Sequence, residues 1–256
     1  MPQVTADTPL GLILLALAGF FASGVNSFAG GGTLVSFPVL IGLGIGDLQA
    51  NATNSMALWP GSLSSAFGYK ERLGAIKSHL VSLAAATVLG ATLGAYLLVQ
   101  TPASTFRIVI PFLILLATCV LAAQSKIKSW ILKRTVAIPP WCGWGFQFLI
   151  SVYGGYFGAG MGIMMLAAMS LFVEGDLHDL NALKNPLAVL INVVAMSWFL
   201  AKGLVLLLPC LALMFGAVVG GYVAARFSLR VSPDRLRSIV VIYGLVMTLW
   251  FFVRLR

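Results

Sequence analysis

Apolar residues run along this chain in long stretches that show no alternation with polar ones. Leu10 to Phe28, Leu80 to Val99, Ile108 to Ala123 and Ile239 to Val253 each come near the ~20 residues that carry a helix across bilayer hydrocarbon. The whole pattern predicts ten apolar segments, roughly 10–28, 33–45, 52–69, 78–99 and 105–123, then 140–157, 161–173, 186–201, 204–225 and 236–253. The second and the seventh are short. Between the segments stand small clusters of Gly, Asn, Lys and Arg.

The order of these clusters repeats. Phe28-Ala29-Gly30-Gly31-Gly32-Thr33-Leu34 is answered by Phe157-Gly158-Ala159-Gly160-Met161-Gly162-Ile163, and Gly46-Asp47-Leu48 by Gly175-Asp176-Leu177. Further on, Gly90-Ala91-Thr92-Leu93-Gly94-Ala95-Tyr96 matches Gly216-Ala217-Val218-Val219-Gly220-Gly221-Tyr222, and Phe106-Arg107 falls opposite Leu236-Arg237. Four matches in the same order indicate an internal duplication. They divide the chain into a first transmembrane repeat (1–125), a basic linker (126–139) and a second repeat (140–256).

Charge sets the expected orientation. The first repeat carries Lys70, Arg72 and Lys77 between its third and fourth segments, where the second has only Lys202. One loop later the bias reverses, with Arg107 alone in the first repeat against Arg226, Arg230, Arg235 and Arg237 in the second. Basic loops stay in the cytoplasm, so ten crossings with both termini outside fit, and the basic linker then lies inside. Five crossings per half turn the second repeat upside down relative to the first. Arg254 and Arg256 fall outside in this arrangement, against the rule, and the acidic stretch Glu174, Asp176, Asp179 falls inside, where acids count little. An eight-crossing alternative, with both short segments re-entrant, would move the arginine-rich loop after residue 225 outside. The expected class is an all-α polytopic membrane protein made of two inverted repeats of about five helical segments, each with a glycine-broken helix.

Composition narrows the function. Hydrophobic residues make up 60% of the chain and charged ones 9%, with a mean hydropathy of +1.00, whereas soluble domains carry about a quarter charged residues. The net charge of +9 sits in inter-segment clusters, which points to cytoplasmic loops and not to nucleic acid. No Lys or Arg precedes Lys70, so the first segment lacks the charged start of a cleavable signal and is read as a retained helix. Cys119, Cys142 and Cys210 are widely spaced in apolar surroundings and are expected to pack in the interior. No Walker loop, metal-ligand spacing or H-E-x-x-H is present, so no cofactor is expected.

The glycine runs carry the strongest local signal. Leu10 to Ile45 is too long for one straight crossing, and a break near residues 29–32 would start a short helix within the membrane. Its free N–H groups and positive end favour an anion. Broken backbone at that depth is tolerated only inside protein or beside a watery cavity, and two such breaks related by an inverted repeat point to a midplane substrate site. The candidate site residues are Asn26, Ser27, Gly30, Gly31, Gly32 and Thr33 at the first break and Tyr156, Gly158, Gly160 and Gly162 at the second. Polar residues inside apolar segments usually face the bundle interior, which adds Asn51, Asn54, Ser55, Lys184 and Asn185. Helix capping is the competing explanation for the Asn and Ser residues. Lys184 stands just before Asn185-Pro186, where proline suits a first helical turn; it can neutralise an anion or reach to the headgroups. Gly31 and Gly160 are expected to lie close together near the midplane, whereas Gly90, Gly94, Gly216 and Gly220 read as helix-packing positions. His79 and His178 are placed in loops.

At these breaks the sequence resembles a known family. Gly24 to Leu40, with Ala29-Gly30-Gly31-Gly32 and Pro38, followed by Ala50-Asn51-Ala52-Thr53-Asn54-Ser55, is similar to the sulfite exporter TauE/SafE family, and the likeness covers nearly the whole chain. The second copy, Gly158-Ala159-Gly160-Met161-Gly162, puts Met161 where glycine is usual. The resemblance implies a secondary permease of the bacterial inner membrane for sulfite, sulfoacetate or another small sulfur-containing or organic anion. The expected partners are that anion and the lipid bilayer, with no nucleic acid. A membrane-embedded enzyme is the alternative, but no paired carboxylates, His/Cys cluster or nucleophile with a base lies within the segments. A passive anion channel is a third reading.

Overall fold

The computed structural model describes residues 5–28, 31–68, 73–133, 139–173, 177–227 and 233–255. Among them are ten helices: α1 (Pro9–Phe28), α2 (Gly32–Gly42), α3 (Asp47–Gly68), α4 (Leu73–Gln100), α5 (Ala103–Lys133), α6 (Pro140–Tyr156), α7 (Met161–Met169), α8 (Leu177–Ala201), α9 (Leu207–Phe227) and α10 (Pro233–Arg254). The described residues contain no strand. Five helices are long and apolar enough to cross a membrane, over Pro9–Asn26, Ser78–Gln100, Ala103–Ile127, Asp179–Ala201 and Arg237–Arg254. The protein is an all-α polytopic membrane protein. Its outward surface is correspondingly apolar, with Phe21, Leu89, Phe215, Ile242 and Leu249 more than half exposed.

Helices α2 and α7 hold 11 and 9 residues. At 1.5 Å per residue each reaches roughly half-way through a bilayer. Several boundaries differ from the sequence expectation. Helix α3 begins at Asp47 and α8 at Leu177, because the polar stretches before residues 52 and 186 are helical too. Pro186 therefore lies inside α8. Neighbouring helices and side chains re-satisfy the carbonyl that an interior proline frees in a membrane bundle. His79 and His178 likewise belong to α4 and α8, and α5 continues to Lys133 through the start of the expected linker. Cys210 is buried as expected, Cys142 half-buried, and Cys119 exposed on the apolar surface, where a thiol behaves as a small hydrophobe.

Close approaches of glycine fix the neighbours. A Cβ on Gly216 would collide with the Ala16 carbonyl and one on Gly220 with that of Phe20. Equivalent collisions join Gly90 to the Phe148 carbonyl and Gly94 to that of Val152. Small residues let helix backbones meet this way in lipid, where no hydrophobic force drives them together. The ascending numbers on both sides of each contact make α1 parallel to α9 and α4 parallel to α6. Each close pair thus joins one helix of the first half to one of the second.

Polar contacts define two faces. At one, Thr53 Oγ1 on α3 accepts a hydrogen bond from Leu206 N at the start of α9, 3.1 Å away. Nearby, Asp47 at the start of α3 binds Arg107 at the start of α5 at 3.0 Å, and Arg254 at the end of α10 approaches to 4.0 Å. At the other face, Arg237 at the start of α10 donates to Ser125 on α5, and Trp144 near the start of α6 donates to Ser82 on α4. Starting on the same side, α3 runs parallel to α9 and hence to α1. Helix α2 must reverse direction between α1 and α3, so a re-entrant turn returning to its own side does not fit. The second face receives the helix ends beside Lys70 to Lys77, Lys126 to Arg134 and Arg226 to Arg237 and is called the basic face below.

Candidate functional site

Both breaks converge on one face of α5. A Cβ on Gly31 would sit 3.0 Å from Leu121 Cδ2, and one on Gly160 would sit 3.6 Å from Ala117 Cα. Ala117 and Leu121 are one helical turn apart, Ala117 close to the middle of the crossing Ala103–Ile127 and Leu121 nearer its end at the basic face.

The two breaks hold their backbone by different means. At the first, Asn26 Oδ1 accepts the Gly32 N–H at 2.7 Å, a side-chain cap on the start of α2. Gly31 has φ −149° and ψ 22°, outside the left-handed region. At the second, Gly158 and Gly160 have φ +78° and +76°, the left-handed region that favours glycine. Tyr153 donates its hydroxyl hydrogen to the Ala159 carbonyl and fastens the loop.

Between the breaks opens a cavity of about 510 Å³ lined by residues of α1, α2, α3, α6, α7, α8 and α9 and of the second break. Ten of the fifteen sequence candidates line it: Asn26, Gly31, Gly32, Thr33, Ser55, Gly158, Gly160, Gly162, Lys184 and Asn185. Lys184 is half-buried in α8, away from the helix end where snorkelling was expected. Its stem lies 3.7 Å from where a Cβ on Gly162 would stand, and its Nζ donates to Asn181 Oδ1 at 2.8 Å. The ammonium is thereby kept at the start of α7.

Three candidates lie outside the cavity and fasten helices together. Asn51 Nδ2 donates to the Tyr156 carbonyl at 2.9 Å, Asn54 Oδ1 accepts from Ser36, and the Tyr156 hydroxyl faces Thr101 Oγ1 at 3.4 Å. The Ser27 side chain and Gly30 fall outside the described residues. The wall also contains residues absent from the candidate set, including Ser23, Trp59, Asn192 and Tyr222. Ser23 and Asn192 carry the same signal as the chosen ones, a polar side chain within an apolar segment. Trp59 and Tyr222 carry none, because an aromatic residue in such a segment reads as packing. Among the described lining residues there is no carboxylate, and among all described residues no cluster of His, Cys, Asp and Glu able to hold a metal. The described wall combines amide and hydroxyl groups with Lys184, a set suited to binding an anion.

The sulfite exporter TauE/SafE family profile matches residues 15–251. The chain belongs to this family. Relatives of the TauE/SafE protein include a probable membrane transporter protein of Haemophilus influenzae, 25% identical over 93% of this chain and 94% of its own. Another, from Sinorhizobium, is 27% identical over 93% and 91%. The probable membrane transporter protein YfcA of Escherichia coli is 24% identical over 94% and 89%. No solved structure matches. The protein is a multi-pass membrane transporter and not an enzyme, and the bilayer is its solvent.

Proposed function

We propose that this TauE/SafE protein is a secondary transporter for a small anion, a sulfur-containing oxyanion or organosulfonate such as sulfite or sulfoacetate. The observation that carries the reading is the convergence of both glycine breaks on a cavity whose described wall holds Lys184 and no carboxylate. Helix starts at the breaks direct their positive ends toward it. The site has the place and composition that inverted-repeat transporters use for anionic substrates.

Two inverted repeats, 1–125 and 140–256 joined by the basic segment 126–139, account for the packing. Exchanging the five helices of one half for those of the other turns the α1/α9 pair into α6/α4 and the α3/α9 pair into α8/α4, and both members of each exchange are close neighbours. The charge bias puts the basic face in the cytoplasm of a bacterial inner membrane. A carrier is favoured over a passive channel because the cavity wall includes Ser55, Leu58, Trp59 and Pro60 of α3 but none of residues 47–54, which are largely buried.

Counterflow in proteoliposomes tests the function. Sulfite, thiosulfate, sulfonates and carboxylates are offered against preloaded unlabelled anion; saturable exchange of at least one sulfur anion is expected, and Lys184→Gln is expected to raise its KM on the order of tenfold, the effect of one lost charge-assisted bond. Flux that never saturates would make the protein a channel. Absence of flux for every anion would end the anion reading.

A further inference from the structure

The cavity is one-sided. Its lining on α3 is Ser55, Leu58, Trp59 and Pro60, on α9 Ala217, Val218, Gly221 and Tyr222 and on α1 Ser23 and Asn26, running from the middle of α3 and α9 toward their ends at the basic face. Asn26 and Tyr222 in its wall are exposed. Toward the opposite face the bundle is sealed. Phe37 meets Phe157 edge-on at 5.5 Å and stacks on Phe251 at 6.0 Å, and Phe106 packs on Tyr156 at 5.8 Å.

A polar stripe runs through this seal. Asp47, Asn51 and Ser55 are four residues apart on α3 and share one side of it. Ser55 lines the cavity, Asn51 is fully buried, and Asp47 lies beneath the opposite face against Arg107 and Arg254. Thr53 and Asn54 beside the stripe have hydrogen-bond partners. Asn51 is different: its Nδ2 holds the Tyr156 carbonyl, while its Oδ1 is buried with no partner. A buried amide oxygen left unpaired destabilises the arrangement that buries it, and water relieves the strain on entry. Packing alone would be better served by leucine. The charges suit passage of an anion: Asp47, a carboxylate on the stripe, is matched by two guanidinium groups, and the Arg107 side chain is about half exposed, at 54%.

We propose that the stripe Asp47, Asn51 and Ser55 is the closed half of the translocation route, with the Asp47/Arg107 pair as its latch and Asn51 as the residue whose hydration opens it. The inference rests on the transport reading above, and the test separates the two. In a chain carrying Cys119→Ser, Cys142→Ser and Cys210→Ala, Ser55→Cys is the reporter. It is labelled with the membrane-impermeant anion 2-sulfonatoethyl methanethiosulfonate in right-side-out and in inside-out vesicles, at equal amounts of monodisperse protein.

The parent should react from the basic face only. Adding Arg107→Gln or Asp47→Asn should raise the rate from the opposite face on the order of tenfold, as when a state populated at a few per cent becomes comparable with its rival. Adding Asn51→Leu to either should return that rate to the parent's. If both latch variants leave the opposite-face rate unchanged while basic-face labelling persists, the gate is wrong and the cavity reading stands. If Asn51→Leu leaves the raised rate unchanged, Asn51 has no part in opening. No labelling from the basic face means that the cavity is closed to water there, which removes the transport reading and the gate with it.

Discussion

The two glycine breaks fall in stretches of similar sequence, each just before a short helix, yet they are held differently. In the first, a side chain does the work, with Asn26 capping α2 at Gly32. In the second, left-handed Gly158 and Gly160 set the backbone and the Tyr153 hydroxyl fastens it. Their packing is exchanged as well. Gly32 is pressed against the Ala22 backbone, while its counterpart Met161 places its sulfur where a side chain on Gly154 would go. Val25 stands opposite Gly154 in the repeat, so large and small have changed places seven residues apart. On the two-repeat reading proposed above, the halves share an order of helices and differ in the means of holding the break.

The largest effect should come from outside both breaks. Gly94→Val and Gly220→Val drive a side chain into the carbonyls of Val152 and Phe20, backbone that cannot yield cheaply. Each should cost about 3 kcal/mol or more and sharply lower the yield of monodisperse protein in detergent. Transport per folded molecule should change little. At the breaks, Gly31→Val should show the reverse, inserted protein with weakened transport of every accepted anion, and Gly160→Val should weaken transport per folded molecule in addition to the yield lost to its left-handed backbone. Full specific transport in both would reduce the breaks to hinges.

Alanine separates the breaks from each other. Gly160→Ala has room for its Cβ but the wrong handedness, and should destabilise by about 1–2 kcal/mol. Gly31→Ala asks only that the Leu121 side chain shift and should come out near neutral in thermal unfolding. Equal losses at the two positions would erase the distinction between them. The fastenings give smaller effects: Asn26→Ala should cost about 1 kcal/mol and Tyr153→Phe about 1 kcal/mol, each measured by denaturation at fixed detergent. The subtlest test is the exchange itself. Gly154→Val and Met161→Gly should each destabilise alone and partly rescue one another, with a coupling of about 1 kcal/mol; strict additivity would mean the two positions do not compensate.

Much of this was legible in the sequence. The apolar stretches and the glycine runs place the helices and the breaks, because each follows from local chemistry: apolar length and absent Cβ atoms. The start of α8 was not legible. Asn185-Pro186 imitates a helix beginning, and only neighbouring helices make an interior proline tolerable there. Asn51 and Asn54 looked like Ser55, since a polar residue in an apolar segment signals an interior position without saying what it meets. The Asp47 and Arg107 pair is joined across sixty residues, a separation that neither period nor motif reports. Trp59 entered the cavity wall unannounced for the same reason.

The interleaving of α1 with α9 and of α4 with α6 has a bearing on biosynthesis. When the first five helices have left the ribosome, α1 has no partner for the close backbone contact that Gly216 and Gly220 will make, and the glycine seam of α4 still awaits α6. Assembly is expected to proceed from the middle of the polypeptide outward: α4 can close on α6 once α6 is made, and α1 meets α9 only once nearly the whole chain is in the membrane. Until then α1 must be shielded by lipid or by an insertase. A nascent chain arrested before α9 should leave Gly19 and the rest of that seam open to crosslinking with whatever holds it.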